Sequence, residues 1–181
     1  MKTVILISSI LCSLSAFAHF SLEKINAFSL KTNSNELISF KNTPRPTVVI
    51  FLSKDCPCSK GNLDYINQLS IEFKDIRFIG IHSKRNSTSE DITGYLQDKK
   101  LNFEIYNDSD LKIADNFKAL KTPHAFIVNT EGAVVYNGGI TNTTFPKNAK
   151  EFFLKNALLD IENHKQPAIA ETRTLGCFIM R

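Results

Sequence analysis

No tryptophan occurs among the 181 residues of this chain, although phenylalanine occurs 14 times. That aromatic complement fits a packed core and not an exposed stacking platform. Charge of one sign is also lacking: 22 Lys and Arg stand against 18 Asp and Glu, and the basic residues are scattered along the chain. Without a basic stripe or a recognised motif, nucleic-acid binding has no support. Beyond the N-terminal segment, no apolar run approaches the roughly 20 residues that a spanning helix needs. The chain shows no internal repeat and no low-complexity tract. Cysteine is scarce too, with four residues, Cys12, Cys56, Cys58 and Cys177.

The first of these cysteines belongs to a leader. Lys2 supplies a positive start, Val4 to Phe17 form a short apolar core, and Ala16-Phe17-Ala18 has the small-residue pattern of a cleavage site. Residues 1–18 therefore read as a secretory signal peptide, with His19 opening the mature protein. A lipoprotein is not indicated, because Ser9-Ile10-Leu11 ahead of Cys12 lacks the small residue expected at the cut. Export to the periplasm or the medium is the expectation, with no integral membrane segment after cleavage. About 163 residues remain, enough for one domain with its own core. Three cysteines stay with it, and an odd number in an exported protein points to a free or exchanging thiol. The compartment permits disulfide chemistry without requiring it.

Two of the three sit in Phe51-Leu52-Ser53-Lys54-Asp55-Cys56-Pro57-Cys58-Ser59-Lys60, directly after the apolar run Val48 to Leu52. This order puts a thiol pair between the end of a buried strand and the first turn of a helix, where the helix dipole and free N–H groups stabilise a thiolate. Redox chemistry or soft-metal binding follows. Asp55 beside Cys56 opposes ionisation by like charge, whereas Lys54 and Lys60 favour it.

The rest of the chain alternates strands and helices. Phe28 to Phe40 predicts a hairpin around Asn33-Ser34-Asn35, and Thr47 to Ser53 a central strand buried on both faces. Leu63, Ile66, Leu69, Ile71 and Phe73 follow a helical spacing, Ile76 to Ile81 reads as a strand, and Ser89 to Gln97 as a helix. Phe103 to Tyr106 is a short strand. Asp108-Ser109-Asp110 predicts the cap of a helix carrying Leu111, Ile113, Ala114 and Phe117. After Thr122-Pro123, Ala125 to Val128 and Ala133 to Tyr136 form a hairpin, and Lys147 to Ile161 reads as a last amphipathic helix. Residues 19–162 make the domain, and residues 163–181, with Cys177, a tail laid against it.

A strand ending at a cysteine, a helix starting there, and a Thr-Pro opening a later hairpin resemble the thioredoxin superfamily. Phe51 to Lys60, Gly80-Ile81-His82-Ser83, Lys121-Thr122-Pro123-His124, Tyr136-Asn137-Gly138-Gly139 and Thr172 to Cys177 resemble, more narrowly, exported bacterial redoxins of the AhpC/TSA-like type. The resemblance spans about Phe28 to Ile161 and implies an α/β thioredoxin-like fold, a central mixed β-sheet flanked by helices. It further implies a cis Thr122-Pro123 bond facing the reactive cysteine, with Thr122 and Pro123 binding substrate through backbone hydrogen bonds. Its activity would be thiol–disulfide exchange, without a cofactor, on protein thiols or disulfides and with a redox partner protein.

The active-site motif departs from that of thioredoxin. Cys56 takes the attacking place, Ser59 stands where the resolving cysteine belongs, Cys58 where proline is common, and Ile50 where a buried acid is usual. Three functions remain open. Cys56 exchanges disulfides and is resolved by Cys58 or Cys177; a small Cys-Pro-Cys ring would be strained and easily reduced, hence oxidising, while Cys177 is sterically freer beside Gly176. Alternatively Cys56, Cys58, His82 and His124 hold copper as a Cu(I)-delivery module, since thiolates and imidazoles suit a soft ion. Thirdly, Ser53 falls three residues before Cys56 as in a thiol peroxidase, although Val49 replaces the proline of that motif.

Overall fold

The computed structural model describes residues 20–181, so the signal-peptide reading and Cys12 lie outside the described residues. The centre of the fold is the strand β3 (Thr47–Leu52), six consecutive residues all buried. An apolar run without alternation is stable only with both faces covered. Val48, Ile50 and Leu52 point into one hydrophobic layer, and Val49 and Phe51 into the other. Helix α1 (Pro57–Glu72) and helix α4 (Phe153–Glu162) cover the first layer through Leu63, Ile66, Leu69, Leu154 and Leu158. The second is closed by α3 (Lys112–Phe117), whose Phe117 meets Phe40, Phe51 and Phe126 edge-on at 5.2–5.9 Å. T-shaped aromatic pairs of this spacing add to the area they bury.

Seven strands form one sheet in the order β2-β1-β5-β4-β3-β7-β8. Strands β1 (Lys24–Ser29) and β2 (Ser34–Ser39) make the expected hairpin, which begins earlier than Phe28 because Ile25, Ala27 and Ser29 alternate inward. Strand β4 (Arg77–Ser83) lies parallel to β3 and to β5 (Glu104–Asp108), joined through α1 and α2 (Ser89–Leu96). The hairpin β7 (His124–Val128) and β8 (Val134–Gly138) runs antiparallel on the other side of β3. A mixed sheet flanked by helices is thus the observed architecture. Among the described residues no helix is long and apolar enough to cross a membrane.

One local reading is corrected and one is borne out. The last helix starts at Phe153, not Lys147: Pro146–Asn148 is a 3₁₀ turn, and the Asn142 side chain takes the N–H groups of Lys150 and Glu151 at 3.1 and 3.3 Å. Those donors are satisfied without a helical turn. At α3 both expected acids cap: Asp108 reaches over Leu111 to accept from Ile113 and Ala114 N–H at 3.0 Å each, and Asp110 Oδ1 accepts from Lys112 N–H at 3.2 Å. Leu111 itself stands at φ 63° at the helix entry.

The tail is docked along its length. Asn137 N–H donates to Ala170 O at 2.9 Å, and Thr172 N–H returns a bond to Asn137 O at 3.1 Å. Added Cβ atoms at Gly138 and Gly139 would collide with Thr172 and Arg173, so only glycine admits this approach. Farther along, β9 (Cys177–Phe178) pairs antiparallel with β6 (Lys121–Thr122), in register Thr122 to Cys177. Ile179 is buried in the second layer, and Arg181 holds Asp115 at 3.0 Å and Ala119 O at 2.8 Å.

Candidate active site

Cys56 is the N-cap of α1, the helix that Pro57 opens. Proline is well placed there, since its missing N–H would be unpaired anyway. The cap is made by sulfur: Ser59 N–H donates to Cys56 Sγ at 3.4 Å, and the thiol in turn donates to Thr122 O at 2.9 Å. Cys56 is only 3 % exposed. The Thr122–Pro123 bond is cis, as expected. Thr122, however, does not offer a free edge to a substrate, because β9 is paired with it. Cys177 therefore lies over Cys56, and an added Cβ at Gly176 would strike Thr122 O. The Sγ atoms of Cys56, Cys58 and Cys177 all lie within 4.8 Å of one another. All three are free thiols, Cys56 buried and the other two half-buried.

Their proton affinities diverge. Burial raises the Cys56 pKa, but hydrogen bonds from Cys177, Thr122 and the Ser59 N–H outweigh it and push Cys56 down to about 7. The bond to Thr122 O favours the protonated form, and it loses to these donors. Cys177 is pushed up to about 12, by burial first and then by its hydrogen bond to Cys56 and the Cys56 charge. Burial and the same charge raise Cys58. One thiolate is thus held by two thiols. The alkylation rate of Cys56 by iodoacetamide should accordingly rise with pH to a midpoint near 7, because the thiolate is the nucleophile; Cys58 and Cys177 should still be protonated there. A pH-rate midpoint at 8.5 or above for Cys56, read by peptide mapping, would refute the assignment.

The charges expected to decide this ionisation are engaged elsewhere. Lys84 Nζ holds Asp55 at 2.6 Å and Lys54 Nζ at 3.4 Å, which keeps the Asp55 carboxyl below its ordinary range. Lys60 reaches over the Tyr95 ring, 5.6 Å from its centroid. Lys84 has no motif to betray it in sequence, lying far from Asp55 along the chain. Ser59, at the resolving position, instead accepts from Ser53 N–H at 3.2 Å and fastens the end of β3 to α1. Ser53 Oγ accepts from Asp55 N–H at 3.3 Å, turned into its own loop.

The histidines do not join the sulfurs. His82 Nε2 accepts from Lys54 N–H at 3.1 Å and so positions the loop ahead of Cys56. His124 Nε2 is 2.6 Å from Asn137 Oδ1 and stacks on Phe126 at 4.4 Å. Burial pushes each imidazole down to about 4. The four-residue metal set read from sequence is corrected by this geometry: among the described residues, the only grouping of potential ligand atoms within mutual reach is Cys56, Cys58 and Cys177. Cys177 replaces both imidazoles because strand pairing brings it in from the far end of the chain.

Solved structures share this architecture. An uncharacterized conserved protein from Geobacillus kaustophilus is similar with a TM-score of 0.80 at 17% identity, over 90% of this chain and 91% of that one. A hypothetical protein from Sinorhizobium meliloti 1021 is similar at 0.75 and 19%, over 89% and 92%. A secreted Mycobacterium tuberculosis disulfide oxidoreductase, homologous to DsbE of Escherichia coli, is similar at 0.51 and 18%, over 61% and 79%. These identities speak for the fold. The chain has no significant sequence match among curated proteins. The AhpC/TSA family model matches residues 22–137, the span from the edge hairpin through the cysteine loop to the strand that receives the tail, and by that match the chain belongs to the AhpC/TSA family.

Proposed function

We propose that the protein is an exported thiol–disulfide oxidoreductase whose attacking group is Cys56. The observation that carries this is a buried sulfur at the N-cap of α1, accepting the Ser59 N–H, with two further free thiols inside 4.8 Å. The Cys56 thiolate attacks a substrate disulfide, forms a mixed disulfide and expels one substrate thiolate. A second protein thiol, Cys177 or Cys58, gives up its proton, attacks Cys56 Sγ and releases the other substrate thiolate. The substrate leaves as two thiols and the protein as an internal disulfide, which a dithiol partner protein returns to the reduced state. The likeness to a secreted disulfide oxidoreductase supports both the chemistry and the export.

Of the two resolvers, Cys177 is favoured. Its sulfur lies within 4.8 Å of Cys56 Sγ and stands on a different element, so bonding does not demand a ring closed within the first turn of α1. Reacting the reduced protein with oxidised glutathione, quenching with alkylating agent and mapping the bonds tests this. Cys177→Ser should accumulate the Cys56 mixed disulfide, slowing its release about tenfold or more, while Cys58→Ser releases it at close to the wild-type rate. Reversal of those two results would make Cys58 the resolver. Absence of any Cys56 adduct would end the oxidoreductase reading.

A further inference from the structure

We propose that Cys56, Cys58 and Cys177 together form a trithiolate binding site for copper(I). The site is new in its composition, since it needs the tail and neither histidine. Metal–thiolate bonds of about 2.3 Å place the sulfurs of a trigonal centre about 4.0 Å apart. The three sulfurs here already stand within 4.8 Å, so closing on an ion takes only small side-chain rotations. Their carriers are fixed before any ion arrives: Cys56 by its cap on α1, Cys58 by the helix's first turn, and Cys177 by pairing to Thr122. Asn62 adds to this, donating to both Cys58 O and Thr144 O at 2.8 Å. Preorganised donors spare the ordering cost that weakens binding.

The choice of ion follows from donor number and softness. A structural zinc ion takes four protein ligands. Here a fourth is not at hand among the described residues, because no imidazole nitrogen or carboxylate oxygen joins the three sulfurs within their mutual 4.8 Å. Three sulfurs and no nitrogen or oxygen suit a soft monovalent ion. Ionising all three thiols and binding one Cu(I) leaves a net charge of −2 on the centre. The N-terminus of the 16-residue α1 faces that charge, with its Ser59 N–H already on Cys56 Sγ. No electron is transferred; the thiol protons are released to solvent and three sulfur–metal bonds form.

The test is an anaerobic titration of the reduced protein with Cu(I) in competition with a chromophoric Cu(I) chelator, together with X-ray absorption at the copper edge. One ion per chain is expected, with three sulfur neighbours at about 2.3 Å. Cys177→Ser should lower affinity about 100-fold and leave two sulfurs on the metal. His124→Gln and His124→Asn should change neither affinity nor sulfur count. Retained wild-type affinity in Cys177→Ser, loss of binding in the histidine variants, or surrender of all copper to the chelator by the wild type would each overturn the proposal. Tighter retention of zinc than of copper(I) would overturn the choice of ion. Since no disulfide is present in the titration, these results stand apart from whether Cys56 exchanges disulfides.

Discussion

Replacing Cys56 with serine should reduce disulfide exchange about 1,000-fold or more, to the level of the uncatalysed thiols. Serine keeps the hydrogen bonds available to an N-cap, so the fold should persist. What is lost is the one sulfur ionised near neutrality, and a thiolate is the species that attacks. Neither neighbour can substitute: Cys58 is raised by burial and Cys177 pushed up to about 12. Removing the Cys56 charge also removes one cause of both upward shifts, so their reactivity toward iodoacetamide should increase as that of Cys56 disappears. The measurement is single-turnover exchange with a small disulfide, with far-ultraviolet circular dichroism to show that the domain is intact. Retention of more than a tenth of wild-type exchange would place the chemistry on another sulfur.

Gly176→Val should act almost as strongly through geometry. A Cβ at this position strikes the Thr122 carbonyl, which belongs to the backbone and cannot swing aside. The pairing of Cys177–Phe178 with Lys121–Thr122 then fails, and Cys177 leaves the sulfur cluster. Two results are expected. Mixed-disulfide resolution slows about tenfold, as in Cys177→Ser, and Cys56 becomes alkylated about tenfold faster because its cover is gone. The vacated edge also becomes open to an extended peptide, which adds to such an edge by main-chain hydrogen bonds. Cystine-containing peptides should therefore gain more than small disulfides do. Protection of the seven-stranded sheet in hydrogen exchange should be unchanged, since the tail strand pairs only with β6. An unchanged Cys56 alkylation rate would show that the tail is not the cover.

Much of this was visible in the sequence where local chemistry decides the outcome. The uninterrupted Val48 to Leu52 run, Pro57 at a helix start and the Thr122-Pro123 turn each signal their structure within a few residues. The hairpin strands follow from period-two burial, and Ser59 as a non-resolving residue is evident from its hydroxyl. What the sequence does not show depends on partners distant along it. Asp55 has a local argument for raising the Cys56 pKa, which Lys84 cancels from the end of β4. His82 and His124 lie on the cysteine edge of the sheet, yet neither imidazole comes within reach of the three sulfurs; their Nε2 atoms bond Lys54 N–H and Asn137 instead. For the tail the available signal was steric: Gly138-Gly139 and Gly176 are where backbones must touch, but sequence does not say which backbone arrives. Helix α4 is shorter than its periodic pattern, because Asn142 supplies an acceptor for amide groups that the pattern assigns to a helical turn.

The docking of β9 gives the cluster a mechanical property. Cys56 and Cys58 are neighbours in the chain, whereas Cys177 joins them across about 120 residues, a loop whose closure entropy must be met by a few contacts of the tail. A local opening that frees residues 176–181 would leave the sheet and both helical layers standing while converting three sulfurs into two. The number of thiols at the site therefore depends on the docking of the tail as well as on the fold of the domain. Force, proteolysis or a competing strand acting on the last few residues would retune the chemistry of Cys56 without touching the loop that carries it.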